Sequence, residues 1–185
     1  MSDHQEQPLT DREALPVELV DEAGRAVGAC PVAEAHAAPG RLHRAFSVLL
    51  FDEAGRVLLQ QRAAVKTRFP LLWANTCCGH PAPGEPVTAA AAVRLAEELG
   101  LATPLTEVGE FVYQAQDPAT GRVEYEWDHV LVGTLSAGEP RPDPAEVAAF
   151  EWVPAEVAQT AMAEHPDRYT PWLGPVLKIA TEARR

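Results

Sequence analysis

The chain reads as an α/β protein, an α/β/α sandwich built around a mixed β-sheet. Three observations predict this. Strand-like runs come in pairs joined by glycine turns, one alanine-rich helix interrupts them in mid-chain, and two helical stretches close the chain.

The elements follow in order. The start, MSDHQEQPLTDRE, is polar and acidic with no apolar run, so residues 1–14 read as a mobile arm and not as a secretion signal. No repeat or low-complexity linker divides the rest, which predicts a single domain over residues 15–185. VELVDEAGRAVGA is apolar, turn, apolar: a hairpin around Asp21–Gly24. HRAFSVLLFDEAGRVLLQQRA repeats the pattern with its turn at Asp52–Gly55. Proline and glycine punctuate Phe69–Pro86, which predicts an ordered loop. AAAAVRLAEELG is a strong helix former stopped at Gly100, with Ala92, Leu95 and Leu99 on its buried stripe. VGEFVYQAQDPATGRVEYEWDHVLVGTL predicts a long hairpin turning at Asp117–Gly121, and VAAFEWVP one further strand. PAEVAQTAMAEH and TPWLGPVLKIATEARR complete the chain as two helices.

Composition bounds the function. The 185 residues are 46% hydrophobic, enough for one real core. No stretch approaches the ~18 apolar residues that span a bilayer. The net charge of −12, from 27 acidic and 15 basic residues, repels nucleic acid and anionic membrane, and so argues against both as partners. An anionic substrate would therefore need a local cluster of cations. Three cysteines without an export signal predict free thiols in a reducing cytoplasm.

Three stretches carry chemistry. NTCCGHP, residues 75–81, places two thiols beside an imidazole; metal retention, a disulfide, core packing and acid–base chemistry are all open to it. In VEYEWD, strand alternation puts Glu124 and Glu126 on one face, roughly 7 Å apart, with Tyr125 and Trp127 on the other. That is usually the pattern of an ordinary half-buried strand, though two acids on one face also make a metal shelf. His36, His43 and His80 flank these segments, but no CxxC exists and their spacing makes no zinc finger.

From Gly79 to Leu101 the spacing G-x5-E-x7-V-R-L-A-E-E-L-G-L resembles the Nudix box, G-x5-E-x7-R-E-U-x-E-E-x-G-U, where U is aliphatic. Gly79, Glu85, Glu97, Glu98, Gly100 and Leu101 match; Val93 and Arg94 stand where the box has Arg-Glu. Such a loop and helix aim carboxylates at divalent metal on a diphosphate. Replacing one acid by Arg94 removes a ligand and adds a phosphate-binding cation, which favours holding a diphosphate over hydrolysing it.

Taken in order, AEAH, GRLHRAFSVLLF, LLQQRAAVKTRFP, LWANTCCGHP, RLAEELGL, FVYQAQDPATGRVEYEWDHVL and RYTPWL resemble the type I isopentenyl-diphosphate Δ-isomerases of the Nudix superfamily, over about residues 17–178. The resemblance implies a Nudix-type sandwich and conversion of isopentenyl to dimethylallyl diphosphate by protonation and deprotonation. It implies Cys78, Glu126 and Tyr113 as the catalytic set. It implies a cage of His36, His43, His80, Glu124 and Glu126 for Mn²⁺ or Zn²⁺, and Glu98 as a ligand to a second ion, Mg²⁺, that bridges the diphosphate. Arg62, Lys66 and Arg94 would bind that diphosphate, and Trp172 would face the cationic carbon. A monomer acting on a small molecule is implied. Cys77 and Cys30 are left to packing. One position departs: Val32 stands where the family often has a lysine, so Arg68 or a backbone amide is the substitute to look for. The rival readings are a Nudix hydrolase of nucleoside diphosphate derivatives and a non-catalytic diphosphate-binding or metal-binding module.

Overall fold

The computed structural model describes residues 12–185, so residues 1–11 of the expected arm lie outside the described residues. Its last three, Arg12–Ala14, instead form a 3-10 turn. The carboxylate of Glu13 there accepts from Arg68 Nη1 and Thr67 Oγ1, both at 2.8 Å, which ties this turn to the domain.

Both predicted D-E-A-G turns form, and by the same chemistry. Between β1 (Pro16–Val20) and β2 (Ala26–Pro31), Asp21 Oδ1 accepts from the Arg25 amide at 3.0 Å; between β3 (His43–Asp52) and β4 (Val57–Arg62), Asp52 Oδ1 accepts from Arg56 at 2.8 Å. Gly24 and Gly55 sit at φ of 74° and 81°, a region that side chains disfavour. The second hairpin separates at once, pairing only Phe51 with Val57.

That divergence builds the sheet. One edge of β3 runs parallel to β8 (Val123–Leu135), in register from His43↔Glu126 to Asp52↔Leu135. Its other edge is shared by β1 at His43, by the short β6 (Cys77–Gly79) at Phe46–Val48, and by β4 at Phe51. β4 also pairs with β5 (Trp73–Ala74) and β9 (Val147–Val153), and β7 (Thr106–Gln116) pairs with β8. The sheet is mixed, as expected. The expected loop Phe69–Pro86 is corrected: it contains β5 and β6, strands too short to show an alternating pattern.

Helices cover both faces. On one, α2 (Val87–Leu99) packs Ala91, Leu95 and Leu99 against Phe46, Val48, Leu50, Leu58 and Cys77. On the other, α3 (Ala155–Glu164) and α4 (Leu173–Glu182) bring Ala158, Val176 and Leu177 onto Leu49, Phe51, Val57 and Val130. Each buried Val, Leu or Phe among them contributes about 1.5–3 kcal/mol. A one-turn helix, α1 (Val32–Ala35), precedes β3. As expected, α2 ends at Gly100, whose φ of 63° turns its amide back to the Ala96 carbonyl. The predicted stripe needs one correction: Ala92 is exposed and Ala91 is buried. The buried arc is rotated because α2 also turns Arg94 and Glu98 inward. No helix among the described residues is long and apolar enough to cross a membrane.

Candidate active site

Strand register assembles five metal-ligating side chains. His43 and Glu126 are direct partners on the parallel strands β3 and β8, so both project to the α4 side of the sheet. Glu124 lies two residues upstream of Glu126 and joins it there. His80 follows β6, and His36 caps the C-terminus of α1. One ligand atom from each of His36, His43, His80, Glu124 and Glu126 lies within 4.8 Å of every other. The three imidazole centroids are 4.6–5.1 Å apart.

The imidazoles of His36 and His43 are turned by the backbone. Nδ1 of His36 donates to the Val32 carbonyl at 2.8 Å, and Nδ1 of His43 to the Arg41 carbonyl at 2.7 Å. Both Nε2 atoms therefore face the carboxylates. His43 Nε2 is buried without a hydrogen-bond partner, which an ordinary core histidine rarely tolerates. Three nitrogens and two carboxylates converging on one point suit a divalent cation. Burial alone would raise the Glu126 carboxyl, but the imidazoles of His36, His43 and His80, at 3.6, 3.5 and 3.0 Å from its Oε1, reverse this and hold it well below the usual range. Burial would likewise lower His36, yet Glu124 and Glu126 carry it to about 9. Glu98 is not among the five; its carboxylate pairs with Arg94 and accepts from Gln60 Nε2 at 2.9 Å.

The paired thiols separate by alternation. β6 sends Cys77 into the α2 core and Cys78 to the α4 side, opposite Ser47. All three cysteines are free, and Cys30 and Cys77 are buried. Cys78 lines a cavity of about 270 Å³ together with Glu126, Glu124, His80, Tyr113 and Trp172. Burial first, and the charge of Asp128 second, push its thiol up to about 12, so it is protonated at neutral pH. Tyr113 is the antiparallel partner of Glu126, and its hydroxyl donates to Glu126 Oε2 at 2.9 Å. One cavity thus holds a thiol kept neutral and a carboxylate kept charged.

Arg62, Lys66 and Arg94 line the same cavity, as does Arg68. Each is engaged by protein groups. The Arg62 guanidinium donates to the Arg68 and Phe69 carbonyls at 2.8–3.2 Å and lies 5.6 Å from the Trp172 ring centroid. Lys66 pairs with Glu146; Arg94 pairs with Glu97, Glu98 and Glu146. Arg68 bridges Glu13 and the cage residue Glu124. Trp172 is buried, edge-on to Phe69 and tilted against Tyr113. Sequence reasoning missed Glu146, Ser47 and Asp128. Asp128 was within reach, because it continues the Glu124, Glu126 alternation by one more step on the same strand face.

This fold and site define a class. The NUDIX domain family matches residues 41–173. Among solved structures, the DR0079 protein of Deinococcus radiodurans superposes with a TM-score of 0.72 at 18% identity, covering 88% of this chain and 97% of that one. The MutT protein of Methanosarcina mazei superposes with 0.62 at 15% identity, covering 78% and 96%. These likenesses establish the fold alone. Sequence relatives go further. The isopentenyl-diphosphate Delta-isomerase of Nocardia farcinica is 76% identical over 172 residues, 92% of this chain and 97% of the relative. Those of Halorhodospira halophila and Streptomyces coelicolor are 49% and 50% identical, over 84% and 94% of this chain and 89% and 87% of their own. The chain belongs to the isopentenyl-diphosphate Delta-isomerase family within the Nudix superfamily.

Proposed function

We propose that this chain interconverts isopentenyl diphosphate and dimethylallyl diphosphate, with Cys78 as the acid and Glu126 as the base. The observation that carries the reading is the shared cavity: a thiol held protonated and a carboxylate held charged open onto one space. An unactivated alkene is a poor base, so only a positioned acid can protonate it at a useful rate. Cys78 gives its proton to C4, leaving cationic character at C3, and Glu126 removes a proton from C2 so that the C2–C3 double bond forms. The turnover leaves a thiolate and a carboxylic acid. One proton must then return from Glu126 to Cys78, and Tyr113, bonded to Glu126, supports that relay.

Trp172 presents an indole to the cationic carbon, worth about 0.5–2 kcal/mol in cation–π attraction. Its burial with Phe69 also excludes water that would capture the cation. Arg62, Lys66 and Arg94 hold the diphosphate, with Arg68 standing in for the cation absent at Val32. His36, His43, His80, Glu124 and Glu126 would hold Mn²⁺ or Zn²⁺, and Glu98 would assist a diphosphate-bridging Mg²⁺. When bound, these cations supply charge neutralisation and fix the substrate's polar end. The same reading has the chain working as a monomer in the cytoplasm, with no nucleic-acid or membrane partner.

The test is incubation with isopentenyl diphosphate in D₂O with Mg²⁺, followed by NMR. Dimethylallyl diphosphate carrying deuterium is expected. Release of phosphate or pyrophosphate by the enzyme would instead identify a hydrolase, and absence of any reaction a binding module.

A further inference from the structure

We propose that Asn75 is the positioning residue that aligns the Cys78 thiol with the Trp172 indole for proton transfer. The inference rests on the isomerase reading and deepens it.

Asn75 is fully buried, and its side-chain amide has four protein contacts. Nδ2 donates to the Val48 carbonyl at 3.1 Å and to the Cys77 carbonyl at 2.9 Å. Oδ1 accepts from Trp172 Nε1 at 3.0 Å and from the Cys78 thiol at 3.2 Å. These contacts leave the amide one orientation. Turning it over would set its oxygen against two carbonyls and its NH₂ against an indole N–H, stranding buried donors and acceptors. The amide is thus locked to β3 and β6 at one end. At the other, a single oxygen anchors both groups that the proposed reaction requires on the substrate.

A carbonyl oxygen at that place sets a common origin for the sulfur and the indole. A displacement of the acid by about 1 Å costs on the order of a hundredfold in rate. Ser47 contributes a second contact, 3.6 Å from Cys78 Sγ, and its own hydroxyl is turned toward Asp128 at 2.6 Å. Asn75 alone joins the thiol to the indole among these contacts. It touches none of Arg62, Lys66, Arg94 or the five cage residues in the bonds described.

The experiment compares wild type, Asn75→Leu, Trp172→Phe and the double variant by steady-state kinetics. Asn75→Leu keeps the branched outline and removes the acceptor; Trp172→Phe keeps an aromatic ring and removes the indole N–H. Expected for Asn75→Leu is kcat lowered roughly a hundredfold with KM within about threefold. The double variant should lose less than the product of the two single losses. A KM that rises as much as kcat falls, or single losses that multiply, would overturn the proposal. Should Asn75→Leu fail to fold, the S–H stretch in the infrared decides the question. The difference between wild type and Cys78→Ala isolates the Cys78 band, expected below the free-thiol position because the thiol donates to Asn75. A band at the free position would overturn the proposal. An inactive wild type, by contrast, would refute the isomerase reading and leave the infrared result standing.

Discussion

Cys77 and Cys78 leave one three-residue strand in opposite directions, the first sealed in the core under α2 and the second facing the cavity with Glu126. Adjacent thiols on an extended backbone necessarily part in this way. Cys78→Ala is therefore expected to abolish turnover, whereas Cys77→Ala keeps most of it and loses about 1 kcal/mol of stability to a small cavity. Steady-state rates and urea denaturation check the pair. Wild-type-like turnover in Cys78→Ala would remove the thiol from the mechanism.

Glu126 and Tyr113 face each other across the β7–β8 ladder, joined at 2.9 Å. Glu126→Gln should abolish turnover, since an amide can neither accept the C2 proton nor hold its charge among three imidazoles. Tyr113→Phe should lower kcat by roughly ten- to a hundredfold while leaving diphosphate binding nearly unchanged. A Tyr113→Phe enzyme altered only in KM would exclude the hydroxyl from the relay.

Burial first, and Asp128 second, disfavour the Cys78 thiolate and push the thiol up to about 12, above an ordinary cysteine. The sign is plain: a raised value keeps the proton on sulfur as pH climbs through the range where free thiols ionise. Alkylation at Cys78 should stay slow from pH 7 to 10, while a model thiol accelerates through a pKa of about 8.5. Mass spectrometry of the iodoacetamide-treated protein reads this directly. A rate that follows the model thiol would contradict the burial argument.

The five-residue cage predicts a metal-dependent stability. A cation at a hundred times its Kd adds about 2.7 kcal/mol to the folded state. Chelation should lower the melting temperature, and Mn²⁺ should restore it. His43→Gln should abolish the response, since His43 Nε2 is a buried ligand atom that makes no hydrogen bond within the protein. An identical melting curve with and without chelator would count against the cage.

Gly79 offers a purely steric test. A Cβ there would lie 2.6 Å from Phe46 Cζ and 3.2 Å from Arg94 Cγ. Gly79→Ala is expected to destabilise by about 1–3 kcal/mol through overpacking between β6 and α2. Calorimetry showing no loss would mean that Phe46 yields freely.

Much of this was legible in the chain because it follows local rules. The twin D-E-A-G turns, the stop at Gly100 and the alternation of Glu124 and Glu126 each depend on a few neighbouring residues. The cage and Cys78 were reached through the family resemblance, because His36, His43, His80 and Glu126 meet only once β3 and β8 pair in parallel. What escaped depends on packing between distant segments. Ala91 replaces Ala92 on the buried face because α2 must also turn Arg94 and Glu98 inward. β6 is three residues long, too short to announce itself, yet it decides where both thiols point. Glu146 belongs to no spacing, and Asn75, though it opens NTCCGHP, carries no role that the spacing reveals; both matter through what reaches them from elsewhere in the fold.

Glu146 has a consequence for which anions this protein admits. One oxygen of its carboxylate pairs with both Lys66 and Arg94, so an anion drawn to those two cations competes with a group already in place. A singly phosphorylated alcohol brings less negative charge to compete for two cations at once, whereas a pyrophosphoryl tail brings more charge and a longer reach. That competition would favour prenyl diphosphates over monophosphates. Glu146→Gln should blunt that selection, narrowing the gap between the inhibition constants of the two classes.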